Sequence, residues 1–166
     1  MARQLWLLRH AEAEPHGSRE DAERRLTERG ERQARAAGAA IARLGVEFDA
    51  ILYSPRVRAA RTAELAAETW PEAQRELLCE HAPLSGGFDP AQALDAISGY
   101  GPDGRVLLVG HEPDLSTVAG ALSGGRVELK KGGLAVLRLD GPGAELAILL
   151  RPRELGLIAG VPVGGD

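Results

Sequence analysis

Of its 166 residues one is cysteine, one is methionine, and Trp, Tyr and Phe occur twice each. A single thiol, Cys79, closes no intramolecular disulfide, which fits a reducing compartment. No Cys-x5-Arg loop follows it, so it reads as a small buried hydrophobe rather than a nucleophile. No apolar run approaches the roughly 20 residues that a membrane helix requires. The first residues, Met1 to Leu8, lack the long apolar region and small-residue cleavage site of a secretory signal. The expectation is a cytoplasmic protein with no membrane partner. Positive charge is not in excess either: 20 Lys and Arg stand against 24 Asp and Glu, a net charge of -4. The general basic footprint of a nucleic-acid binder is therefore missing.

What remains is an ordinary soluble composition, 44% hydrophobic and 27% charged. With so few aromatics, Ala, Leu and Val must fill the core. The length predicts one domain over 1–160 and a flexible tail over 161–166. No internal repeat, linker or low-complexity segment interrupts it.

Apolar patterning predicts alternating strands and helices. Leu5 to Leu8 reads as a buried strand that stops at Arg9-His10. Residues 11–26 form a long polar loop, of the kind that carries function. Thr27 caps a helix to about Leu44, with Ala34, Ala37, Ile41 and Leu44 on its apolar face. Ala50 to Tyr53 is a second strand, and Ser54-Pro55 opens a helix over about 56–69. A third strand covers about 76–79 and a helix 90–97. Val106 to Val109 is a buried strand ending at Gly110-His111, and Glu112-Pro113 opens a helix to about Leu122. Residues 134–139 and 145–150 flank a turn and read as a hairpin or a pair of sheet strands, with a short helix over about 153–158. This order predicts a three-layer α/β/α sandwich with a mostly parallel sheet, too short to hold a large cap domain.

Three predicted strands end in chemistry. The first exits into Arg9-His10, the second into Ser54-Pro55 ahead of Arg56 and Arg58, the fourth into Gly110-His111. Carboxyl ends of parallel strands gather on one edge, where ligands bind. Two imidazoles and several guanidiniums converging there make a pocket for a phosphoryl group. A neutral histidine can take that group covalently, and a second can be held protonated by the bound dianion.

These segments, together with Leu26-Thr27-Glu28-Arg29-Gly30 and Ser54-Pro55-Arg56-Val57-Arg58-Ala59-Ala60-Arg61-Thr62-Ala63, resemble the histidine phosphatase superfamily over about residues 3–150. Motif order and length are most similar to its branch of protein phosphohistidine phosphatases typified by bacterial SixA. The resemblance implies a phosphoglycerate mutase-like fold and a phosphatase without cofactor or metal. It implies His10 as nucleophile, Arg9 and Arg58 as phosphate arginines, His111 as the second pocket histidine and Arg24 as a further basic residue near the pocket. The family's Arg-His-Gly is Arg-His-Ala here, at Ala11. A proton donor is not evident; Glu80 and Glu12 are the positional candidates.

Other residues read as scaffold. Arg56 and Arg61 are expected as solvent-facing or ion-paired helix residues, and the arginines at 19, 24, 25, 29, 32 and 35 mostly as a solvated face among glutamates. Thr62 shares a face with Arg58. His16 and His81 are expected on surface loops, and Lys130-Lys131 in a solvated turn. Zinc bound by His10, Glu12, His111 and Glu112 is disfavoured by the neighbouring arginines. The expected partner is a protein carrying phosphohistidine. The alternatives are a small phosphomonoester and a non-catalytic phosphate-binding module.

Overall fold

The run Leu5-Trp6-Leu7-Leu8 organises the molecule. In the computed structural model, which describes residues 2–164, it lies in β1 (Arg3–Arg9) inside a six-stranded sheet. None of the four is more than 3% exposed. Successive strand side chains point to opposite faces, so Trp6 and Leu8 enter one core while Leu5 and Leu7 enter another. A strand buried on both faces needs cover on both, and this dictates a three-layer α/β/α sandwich.

The other strands are β2 (Ala50–Tyr53), β3 (Leu78–Glu80), β4 (Arg105–Gly110), β5 (Leu134–Asp140) and β6 (Gly143–Leu150). Their order across the sheet is β3-β2-β4-β1-β5-β6. The first four run parallel, and β5 and β6 add antiparallel on the far side. Helices α1 (Glu28–Arg43), α2 (Val57–Ala66) and α6 (Pro152–Ala159) supply the core around Trp6 and Leu8. Helices α4 (Pro90–Ser98) and α5 (Asp114–Ser123) supply the one around Leu5 and Leu7. A short helix, α3 (Glu72–Arg75), and two 3-10 turns, Asp21–Glu23 and Ala82–Ser85, complete the elements. No separate cap domain stands over the sheet among the described residues, and no described helix is long and apolar enough to cross a membrane.

Register positions the site. Arg9 lies opposite Gly110, and Tyr53 opposite Val109. His10, Ser54 and His111 are thus the first residues beyond the same sheet edge. Close packing holds the neighbouring helices in place. Ala36, Ala37 and Ala40 of α1 are buried, and a Cβ at Gly38 would fall 1.8 Å from the Ala66 carbonyl oxygen. The two helices meet nearer than any side chain at that position allows.

Several boundaries differ from the sequence expectation. Helix α2 begins at Val57, not Arg56, and is shorter than predicted. Ser54 does not cap it, because its hydroxyl is turned to other partners. Cys79 is exposed, not buried, because β3 pairs three residues with one neighbour at the sheet edge. Within the expected tail, Val163 is 4% exposed and the Gly164 carbonyl accepts from Arg29. The last two residues of the predicted tail lie outside the described range. Within 11–26, Ala13 bridges to Leu26 and folds the loop back over the sheet edge.

Candidate active site

At the sheet edge the rings of His10 and His111 stand with centroids 5.2 Å apart. Both line a cavity of about 180 Å³, along with Arg9, Arg24 and Arg58. Four of these five side chains belong to residues that are almost fully buried: His10 6%, Arg58 5%, Arg24 7% and His111 7% exposed.

His10 is held from three sides. Its backbone N–H donates to the Gly110 carbonyl, and its own carbonyl accepts from Gly132. Its Nδ1 lies 2.8 Å from the Ala11 carbonyl oxygen. A carbonyl only accepts, so Nδ1 carries the hydrogen and Nε2 keeps its lone pair. The next peptide is pinned to α2: the Ala11 N–H donates to Thr62 Oγ1 at 3.1 Å, and that hydroxyl donates to the Arg58 carbonyl at 2.7 Å. Nucleophile candidate and arginine therefore share one anchor. Ala11 is fully buried, packs with Ala34 and Leu65, and has no positive φ. Alanine in place of the family's glycine introduces no backbone strain.

The arginines are directed by backbone and by one carboxylate. Arg9 Nη1 donates to the Leu129 carbonyl. Arg58 donates through Nη1 to the Asp21 carbonyl and through Nη2 to Asp21 Oδ2. Arg24 donates through Nε to Asp21 Oδ1 and through Nη1 to the Glu14 carbonyl. Arg56 also pairs with Asp21. The Nε atoms of Arg9 and Arg58 are buried with no hydrogen-bond partner. Buried donors of this kind are costly unless an acceptor meets them, and an anion is the acceptor suited to a guanidinium.

Both imidazoles are neutral near pH 7. Burial is the main cause that drives His10 down to about 3, and the charges of Arg58 and Arg9 add to it against the Ala11 carbonyl. Burial and then Arg58 push His111 down to about 4. For Asp21, burial works to raise the carboxyl, but the Arg58 charge and the hydrogen bonds from Arg24 and Arg58 outweigh it. The result is a carboxylate held below its ordinary range, ionised at neutral pH.

Of the residues expected from sequence, Arg9, His10, Arg24, Arg58 and His111 come together. The two proton-donor candidates do not. Glu12 turns its carboxylate to the Thr27 hydroxyl and Arg29 at the start of α1. Glu80 is exposed at the end of β3 and does not line the cavity. Arg56 is an ion-pair partner, as expected. His16 and Lys131, expected in solvated loops, are exposed but sit at the cavity mouth. Sequence reasoning missed Asp21. Its three-residue spacing to Arg24 across a tight turn was the only local signal.

The sequence profile described as histidine phosphatase superfamily (branch 1) matches residues 5–81. An uncharacterised protein of Picosynechococcus sp. strain PCC 7002 is 34% identical over 148 residues, 81% of this chain and 84% of the relative. Among solved structures, a protein from Nakamurella multipartitia assigned as a phosphohistidine phosphatase SixA superposes with a TM-score of 0.76 at 25% identity, covering 92% of this chain and 97% of the other. A protein histidine phosphatase SixA complexed with tungstate superposes with a TM-score of 0.76 at 20% identity, covering 92% and 99%.

Proposed function

The chain belongs to the histidine phosphatase superfamily, and on that premise we propose that it is a metal-independent phosphatase that hydrolyses phosphohistidine borne on a protein, through a covalent intermediate on His10. The observation that carries this reading is the unprotonated Nε2 of His10, set by the Ala11 carbonyl beside two buried arginine donors that lack an acceptor. An incoming phosphoryl group gives those donors their acceptor. Arg9 and Arg58 then stabilise the charge on its equatorial oxygens, which is the main catalytic requirement of phosphoryl transfer. Their guanidiniums supply the positive charge that a metal ion brings elsewhere.

In the first step the His10 Nε2 lone pair forms a bond to phosphorus while the bond to the leaving atom breaks. The leaving atom keeps the electron pair and takes a proton from solvent. In the second step water attacks phospho-His10, releasing inorganic phosphate, and His10 returns to its starting tautomer.

Two features favour phosphohistidine over an ordinary ester. An alkoxide leaving group needs a proton donor, whereas a departing imidazole needs little help. Asp21, the carboxylate among the arginines, is ionised, and Glu12 and Glu80 are turned away. Glu14 and Glu112 do line the cavity, but hydrogen bonds from Arg19 and the Arg25 backbone hold Glu14 below its ordinary range, and Glu112 Oε1 accepts from the Ser116 N–H. The cavity, about 180 Å³, is also below the roughly 300 Å³ at which pockets begin to enclose whole small molecules. It suits the tip of a group presented by a partner's surface. Similarity to the SixA structures, one of them holding tungstate, supports the same reading.

The test is turnover on a phosphorylated histidine carrier protein against a panel of small phosphomonoesters. The carrier is expected to be dephosphorylated at a kcat/KM at least about tenfold above any metabolite, the factor that about 1.4 kcal/mol of transition-state preference provides. Release of phosphate from metabolites alone overturns the substrate assignment. Full activity in His10→Ala overturns the mechanism.

A further inference from the structure

Ser54 stands where Ser-Pro opens the way into α2, yet it does not cap that helix. It is fully buried immediately beyond β2. Its Oγ lies 2.7 Å from His111 Nε2, inside the range of a short O–H···N contact. The same oxygen accepts from the Arg56 backbone N–H at 3.2 Å. The Ser54 N–H is spent on the Val109 carbonyl. At the other side of the ring, His111 Nδ1 is buried without a partner, and His111 lines the cavity.

A hydroxyl has one hydrogen to give and two lone pairs to fill. Arg56 fills one lone pair. His111 Nε2 is the acceptor within reach of the hydrogen. If Nε2 carried the hydrogen instead, the serine would hold a second donor, its own hydrogen would lose this acceptor, and Nδ1 would turn a bare lone pair on an arriving phosphate. Buried hydroxyls rarely forgo their acceptor. We infer that Ser54 is a positioning residue for His111, holding the neutral ring as its Nδ1–H tautomer so that Nδ1 donates to the phosphoryl group. Ser54 itself never touches the substrate. This inference rests on the phosphatase reading above.

The consequence is a matched pair of rings. His10 and His111 both carry hydrogen on Nδ1, but opposite ends face the chemistry. His10 uses its bare Nε2 as the attacking atom, and His111 uses its Nδ1–H as a donor. One is fixed by a backbone carbonyl, Ala11, and the other by a side-chain hydroxyl, Ser54. Which nitrogen bears the hydrogen is thus set by an acceptor in one case and by a donor in the other.

The test combines spectroscopy with kinetics. In uniformly 15N-labelled protein at neutral pH, long-range proton–nitrogen correlations of the imidazole rings are expected to show Nδ1–H for both His10 and His111. An Nε2–H tautomer at His111 overturns the inference whatever the activity. In Ser54→Ala the His111 signals are expected to move toward Nε2–H, with kcat on p-nitrophenyl phosphate falling about tenfold, a partial form of the roughly 100-fold loss that follows removal of a whole oxyanion donor. Ser54→Thr, which keeps the hydroxyl, is expected to restore the Nδ1–H signal and most of kcat. In a His111→Ala background Ser54→Ala is expected to cost no further activity. An equal additional loss there means that Ser54 acts on the fold, and overturns the inference. Failure of the phosphatase reading is separately visible, as turnover surviving in His10→Ala while the wild-type tautomers remain as described.

Discussion

Asp21 grips Arg58 twice, through its backbone carbonyl to Nη1 at 2.7 Å and through Oδ2 to Nη2 at 3.2 Å. That double hold leaves Nε as the free edge of the guanidinium, the edge that is buried without a partner. The same carboxylate takes Arg24 and Arg56. One loop residue therefore sets the aim of the arginine on α2 and neutralises part of its charge.

Replacing Asp21 by alanine removes the carboxylate hold and keeps the carbonyl. Arg58 then loses its fixed orientation, and misaligned donors are costly in a preorganised site. Asp21→Ala is expected to lower kcat/KM about tenfold and to weaken competitive inhibition by inorganic phosphate. Steady-state assays with phosphate titration read both. Tighter phosphate binding in the variant means that the carboxylate competes with the substrate more than it orients Arg58.

The two glutamates that looked like proton donors make a contrasting pair. Glu80→Gln is expected to leave kcat within about twofold, since its side chain is exposed and off the cavity. Glu12→Gln breaks the half-buried contact with Arg29 and is expected to cost about 0.5 kcal/mol of stability, measured by urea unfolding. A tenfold fall in kcat for either would place a carboxylate in the reaction.

Gly30 faces the loop that follows His10. A Cβ there would lie 2.0 Å from the Glu12 carbonyl oxygen, too close for any relaxation confined to side chains. Alanine gains about 1 kcal/mol of helix propensity over glycine. The clash costs about 3 kcal/mol and wins. Gly30→Ala is expected to be destabilised by about 2 kcal/mol and to shift the His10 loop, so kcat falls as well. Denaturation midpoints and kcat measured together check this.

Acid exposes the cost of keeping two imidazoles neutral. His10 and His111 bind protons at about 3 and about 4 in the fold, against an ordinary value of 6.5 when unfolded. Below pH 6.5 the unfolded chain takes up protons that the folded chain refuses. Their contribution is intact above that pH and is lost as pH falls from 6.5 toward 4. At pH 5 each histidine costs about 2 kcal/mol, about 4 kcal/mol together. The unfolding free energy of a His10→Asn, His111→Asn double variant is expected to fall less between pH 7 and pH 5, by about that amount. Equal losses in both proteins would mean that the rings are not held neutral.

The sequence disclosed the layers and the meeting of strand ends because buried parallel strands are written as unbroken apolar runs. Leu5 to Leu8 and Val106 to Val109 are such runs, and each stops where a histidine follows. The motifs added Arg58 and Arg24. Asp21 stayed hidden because its arginines at 56 and 58 lie 35 and 37 residues away, and no local pattern encodes that contact. Glu12 was misjudged for a related reason. Chain proximity to His10 says nothing about the direction of a side chain, and Thr27 and Arg29 turn it outward. Ser54 looked like a helix cap because Ser-Pro at a strand exit usually is one. Cys79 looked buried because a strand of three residues gives no sign that it sits at an edge.

The loop folded over the sheet edge between Ala13 and Leu26 divides labour within the molecule. Covalent chemistry is proposed for residues rooted in strand ends and α2, which belong to the buried sheet and its covering helix. Aim and access belong to a loop that the scaffold does not need for its own core. Asp21 and Arg24 lie within that loop and hold the arginine cluster together, so only its other positions can change without disturbing the aim of Arg58. Variation is therefore expected to be tolerated at exposed positions of the loop such as Ser18 and Glu20, and not at Asp21 or Arg24.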